Sequence, residues 1–93
     1  MSVRFVIPGP LRPFAEGRGT VSVSASPATV ADALAALDAV APGIRPRVMT
    51  EQGVLRPHIN VFVEGENIRD ARGLATPVPD GGEITILPAV SGG

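Results

Sequence analysis

The apolar residues of this chain change their spacing from one segment to the next. Val3-Arg4-Phe5-Val6-Ile7 is a short β-branched and aromatic run closed by Pro8-Gly9-Pro10. That pattern predicts a strand with a hard stop. Thr20-Val21-Ser22-Val23-Ser24 alternates apolar and polar with period two, which predicts a second strand. Residues 11–19 read as a loop with a turn at Gly17-Arg18-Gly19, so the two strands should form a hairpin with a wide loop. From Ala28 to Val40 the period lengthens. Val30, Ala33, Leu34, Leu37 and either Val40 or Ala41 fall on one helical face, with Asp32 and Asp38 off it. Ser26 suits the N-cap, Pro27 the first helical position, and Pro42-Gly43 the stop.

Residues 43–57 are rich in Pro, Gly and Arg and read as a long connection with a helical turn near 44–49. Ile59-Asn60-Val61-Phe62-Val63 is a clear strand. Gly65-Glu66 predicts a tight turn, and Asn67-Ile68-Arg69 a short returning strand. Leu74 is a candidate core anchor, Asp80-Gly81-Gly82 a turn, and residues 83–87 the last strand. The order is β-β-α-β-β-β. A single helix of this length covers one face of a sheet, so the expected class is α+β: a mixed sheet folded around one main helix, the β-grasp arrangement of ubiquitin-like proteins. Residues 1–87 would form that domain, and residues 88–93 a flexible tail.

Composition narrows the chemistry. At 93 residues with 44% apolar and 18% charged residues, the chain should fold as one domain. It has only three phenylalanines, so its core must rest on Val, Ile, Leu and Ala. A formal net charge of −1 and the lack of a basic stripe disfavour nucleic acid as a partner. No apolar run reaches membrane-span length and no signal-peptide pattern opens the chain, which points to a cytoplasmic protein without a membrane partner. With no cysteine and one histidine, neither a metal site nor a bound cofactor is expected, and the chain should be a monomer. His58, between Pro57 and Ile59, suits a structural or solvent-facing role at a strand start. No nucleophile elbow or phosphate-binding loop is present. All eight basic residues are arginine, as coding bias can produce, so the chain offers no side-chain amine for isopeptide linkage to itself.

The chain stops at Gly92-Gly93, directly after an apolar strand and Pro88. Two readings are open. Glycine-rich ends occur as plain tails and linkers. An end without Cβ atoms can also thread a channel too narrow for other residues, carrying its carboxylate to a reactive centre.

What precedes the glycines carries a resemblance. Residues 59–63, Gly73-Leu74-Ala75-Thr76, the turn Asp80-Gly81-Gly82, and the ending Ile84-Thr85-Ile86-Leu87-Pro88-Ala89-Val90-Ser91-Gly92-Gly93 together resemble the ThiS/MoaD family of ubiquitin-like sulfur carriers. The length, the start at residues 7–13 and Leu74-Ala75-Thr76 are most similar to the branch that carries sulfur for cysteine synthesis. Thiamin-type carriers lack the long 43–57 segment, and molybdopterin-type carriers tend to be aromatic where this chain has Leu87.

The resemblance implies a protein co-substrate rather than an enzyme. An E1-like enzyme would adenylate the carboxylate of Gly93, with Gly92 passing the same channel, and a sulfur donor would convert it to a thiocarboxylate. A PLP-dependent cysteine synthase would accept the sulfur, and a metallopeptidase would release the cysteine. The small subunit of a molybdopterin synthase, a protein modifier that joins target lysines, and an interaction module with an incidental tail stand as alternatives. Pro88 would fix the base of the tail, whose six residues from 88 to 93 reach roughly 20 Å when extended. Period two puts Phe62 and Leu87 on the sheet face away from the helix, as a partner-docking patch together with Pro88 and Val90. Arg4 and Arg69 are expected to add a charged rim. The competing expectation is that residues 43–57 fold over this face and bury Phe62 and Leu87.

Overall fold

A computed structural model describes residues 2–24 and 28–88. It contains strands β1 (Val3–Val6), β2 (Thr20–Val23), β3 (Ile59–Val63), β4 (Glu66–Asn67) and β5 (Glu83–Pro88). The helices are α1 (Val30–Val40) and the short α2 (Arg45–Val48), joined by 3-10 turns at Gly9–Ala15, Ile68–Asp70 and Gly73–Ala75. The strands form one mixed sheet in the order β2-β1-β5-β3-β4. β1 and β5 run parallel at its centre, and every other pair is antiparallel. This is the β-grasp arrangement that the order of elements predicted.

Period two decides which side of the sheet is wet. Val3, Phe5, Val21, Val23, Ile59, Val61, Val63, Ile84 and Ile86 all turn to one side and are buried. Against them lie Val30, Ala33, Leu34 and Leu37 of α1. The position left open at the end of the helical stripe falls to Ala41, which is buried, whereas Val40 is exposed.

The helix does not start where Ser26-Pro27 predicted. Thr29 is the N-cap, with extended backbone (φ −134°, ψ 170°). Its Oγ1 accepts from Asp32 N at 3.2 Å, while the Asp32 carboxylate accepts from Thr29 N at 3.1 Å. This reciprocal capping box satisfies donors at both ends of the first turn and places a carboxylate at the positive end of the helix dipole. Ser26 and Pro27 lie outside the described residues.

Two other elements differ from expectation. Gly9–Ala15 coils into a 3-10 helix despite three nearby prolines. Its turn closes through Leu11 N to Pro8 O, and Glu16 ends it in the left-handed region. The hairpin after β3 turns on Glu64 and Gly65, both at positive φ, with Val63 paired to Glu66. β4 then stops at Asn67, because the Asn67 carboxamide accepts from Arg69 N at 2.9 Å and starts a 3-10 turn in place of the predicted strand through Arg69.

The turn before β5 is tightly closed. Gly81 N donates to Ser2 O and Gly82 N to Pro79 O. A Cβ on Gly82 would lie 2.8 Å from the Pro79 carbonyl oxygen, so this position requires glycine. The turn ties the start of β5 to the start of β1 and fixes where β5 delivers its far end.

Candidate functional site

The uncovered sheet face is built from alternate residues of all five strands. Cross-strand register sets Val6 beside Thr85 and Thr85 beside Phe62, with Thr20 and Asn67 at the two ends of this row. One row further along β5, Leu87 lies opposite Asn60. At the other end of β5, Arg4 lies opposite Glu83 and donates to its Oε2 from Nη2 at 2.7 Å and from Nε at 3.2 Å. The face is thus apolar and hydroxylic toward the end of β5 and ionic at its beginning.

Residues 43–57 do not close over this face. Ile44, Val48 and Met49 enter the common core, and α2 packs against α1 on the helix side. The segment then turns back through an antiparallel bridge between Met49 and Leu55. Leu87 is consequently 44% exposed, Phe62 is half-buried between Thr85 and Asn67, and Pro88 is half-buried at the end of β5 opposite Ile59. Pro88 is the last described residue of the strand and is paired, one position beyond the predicted end. Its ring supplies no amide to the ladder. Val90, Gly92 and Gly93 lie outside the described residues.

Arg4 sits on the open face as expected, but Arg69 does not contribute a rim there. Its Nη2 donates to the carbonyls of Arg56 at 2.9 Å, Pro57 at 3.4 Å and Ile59 at 2.7 Å. Arg69 therefore ties down the entry to β3. No local sequence signal marks this role, because its acceptors are backbone atoms 10 to 13 positions away. His58 is exposed. Among the described residues, no group of His and carboxylate side chains is placed to hold a metal ion, and no helix is long and apolar enough to cross a membrane.

A five-stranded mixed sheet around one main helix, with one face open and β5 leading into a glycine-ended segment, defines a ubiquitin-like protein of the β-grasp class. The sequence matches the ThiS family over residues 5–93, and the chain belongs to that family. It is 42% identical to the sulfur carrier protein CysO of Mycobacterium tuberculosis over 95 aligned residues that span 100% of both chains. A chain of the Amycolatopsis orientalis BexX/CysO complex superposes with a TM-score of 0.88 at 37% identity, covering 98% of this chain and 99% of that one. SAMP1 from Haloferax volcanii superposes with a TM-score of 0.83 at 36% identity over 100% of both chains. Proteins of this kind are carriers acted on by enzymes rather than catalysts.

Proposed function

We propose that this protein carries sulfur for cysteine synthesis as a thiocarboxylate on Gly93. The observation that carries the reading is full-length similarity to a sulfur carrier, through a matched region that runs to Gly92-Gly93. The chemistry follows from the weakness of a carboxylate as an electrophile. A carboxylate oxygen of Gly93 attacks the α-phosphorus of ATP on an E1-like enzyme, and pyrophosphate leaves. A sulfur nucleophile then attacks the acyl carbon, and AMP leaves with that oxygen. The resulting thiocarboxylate sulfur adds to the β-carbon of an aminoacrylate on a PLP-dependent cysteine synthase. Once the adduct is released from the PLP and its amine is free, transfer of the acyl group from sulfur to that adjacent amine gives an amide and frees the thiol. A metallopeptidase hydrolyses that amide and restores Gly93. Such ATP-dependent chemistry suits a cytoplasmic carrier.

In this reading the fold presents the end and the open face docks it. Phe62 and Leu87 form an apolar patch on the open face toward the end of β5, whereas Pro88, paired with buried Ile59, turns to the helix side beside it. Val90 is assigned to the partner contact from its place in the sequence alone. An exposed leucine beside a half-buried phenylalanine is the composition of an interface anchor. The absence of lysine and cysteine removes internal nucleophiles that could capture the adenylate.

The test is intact-mass measurement after incubation with an E1-like enzyme, ATP and a sulfide source. The expected product is heavier by the difference between one sulfur and one oxygen. Deleting Gly93, or adding one residue after it, should abolish that shift and leave the melting temperature unchanged. A chain without Gly93 that still gains the mass would sink the assignment. Similarity to the SAMP1 structure, and 42% identity over 66 residues to small archaeal modifier protein 1 of Haloferax volcanii, supports a second reading as a protein modifier. Isopeptide conjugates on target lysines, sought by peptide mass spectrometry, separate the two.

A further inference from the structure

Clefts on the surface differ in the sign of their charged lining. One, between α1 and residues 45–56, is lined by both signs: Asp38, Arg45, Glu51 and Arg56. Another, beside β4, is lined by Glu64, Glu66 and Arg72. A third, of about 370 Å³, opens at the end of β5 and contains no carboxylate. Leu11 and Ile59, both buried, form its floor, and Pro46 and Pro88 line it. Its charged groups are Arg47 and Arg56, with the His58 imidazole beside them.

Both guanidinium groups are held in place. Arg47 stacks on Phe14, its Cζ 3.5 Å from the ring centroid, and its Nη1 donates to Gly43 O at 2.9 Å. A Cβ on Gly43 would meet the Phe14 side chain at 3.0 Å, so glycine there admits the ring. Arg56 Nε donates to Pro46 O at 2.9 Å. Neither arginine forms an ion pair among the described residues, and each keeps further N–H donors. Two prepositioned cations over an apolar floor favour an anion, since little side-chain ordering remains to oppose binding. A planar fork of N–H groups suits a carboxylate. Two arginines on a chain of net charge −1 are too few to hold a nucleic acid backbone.

The position identifies the anion. Pro88, which lines the cleft, is the residue from which the chain runs on to Gly93. With only residues 89–93 beyond Pro88, an enzyme that takes in that end brings the lip of its pocket within reach of this cleft. We propose that the cleft seats an acidic side chain, Asp or Glu, from the lip of the activating enzyme's pocket, and so orients the carrier as its C-terminus enters. The inference rests on the sulfur-carrier reading. Complementary charge at such a lip acts mainly on encounter and register, not on the chemical step.

The test uses the full chain and the E1-like enzyme that thiocarboxylates it, with kcat and KM measured across ionic strength. Arg47→Gln and Arg56→Gln should each lower kcat/KM about tenfold at low salt, with kcat unchanged. The double variant should lose most of the salt dependence of the wild type. Arg72→Gln, an equal charge change at another cleft, should behave as wild type. Should loss of the Phe14 stack unfold Arg47→Gln, Arg47→Lys and Arg56→Lys keep the charge and should retain most of the rate and its salt slope. Glutamine variants that melt like the wild type and match Arg72→Gln in kcat/KM and salt slope overturn the inference and leave the carrier reading intact. A folded wild-type chain that no E1-like enzyme thiocarboxylates overturns the carrier reading itself, and this inference with it.

Discussion

Ile86 and Leu87 are consecutive residues of one strand, similar in size and apolarity, yet Ile86 is fully buried and Leu87 is 44% exposed. The same contrast divides the whole sheet. The inner face is apolar at every position of β1, β2, β3 and β5 and is covered by α1. The outer face mixes Val6, Phe62 and Leu87 with Arg4, Thr20, Ser22, Asn60, Glu83 and Thr85. A face that only had to be soluble would not need Phe62 and Leu87 at adjoining rows. One face specifies the fold, and the other is, in the proposed function, the one left for a partner.

The contrast is broken most forcefully from the inside. Ile86→Ala removes a fully buried side chain from the centre of the core, and should cost about 2–5 kcal/mol of stability, read by chemical denaturation. Leu87→Ala, one residue on, should change stability by less than about 1 kcal/mol. Similar losses for the two would mean that the outer face is also structural.

Binding should show the reverse. Leu87→Ala and Phe62→Ala should each weaken binding to the activating and acceptor enzymes by about 1–3 kcal/mol, measured by calorimetric titration. If both leave affinity intact while lowering the melting temperature, the two residues belong to the core and docking lies elsewhere.

The inner face also depends on how α1 is anchored. Thr29→Ala removes the side-chain half of the capping box and should cost about 1 kcal/mol. Ser26→Ala should cost less than Thr29→Ala. Equal losses would return the N-cap to the position that the Ser-Pro pair suggested.

Why that pair misled is instructive. Both Ser26-Pro27 and Thr29 are legitimate starts, and a box closed by Asp32 lacks the Glu or Gln that usually marks one. Periodicity was enough for the sheet, for α1 and for the two faces, because burial on one side forces period two or a helical stripe. It carried no information about Gly9–Ala15, where prolines read as breakers although a 3-10 turn accommodates them. Nor could it find the Arg47–Phe14 stack, the Arg69 clasp or the cationic cleft, which arise between residues far apart in sequence. Gly92 and Gly93 stood out from composition and position alone, and the resemblance gave them a chemical meaning.

The smallest expected effect tests how far the docking face extends. Arg4 and Glu83 lie four residues before Leu87 along β5, about 13 Å away at the rise of a strand. Their side chains are 59% and 39% exposed, so solvent screens the pair although its distance is short. A double-mutant cycle with Arg4→Ala and Glu83→Ala should give a coupling below about 1 kcal/mol, smaller still at high salt. Because the pair satisfies its own charges within the sheet, neither substitution should alter partner affinity as Leu87→Ala does. Should Arg4→Ala weaken binding as much as Leu87→Ala, the partner would cover the full length of β5, and the ionic row would be part of the interface rather than its boundary.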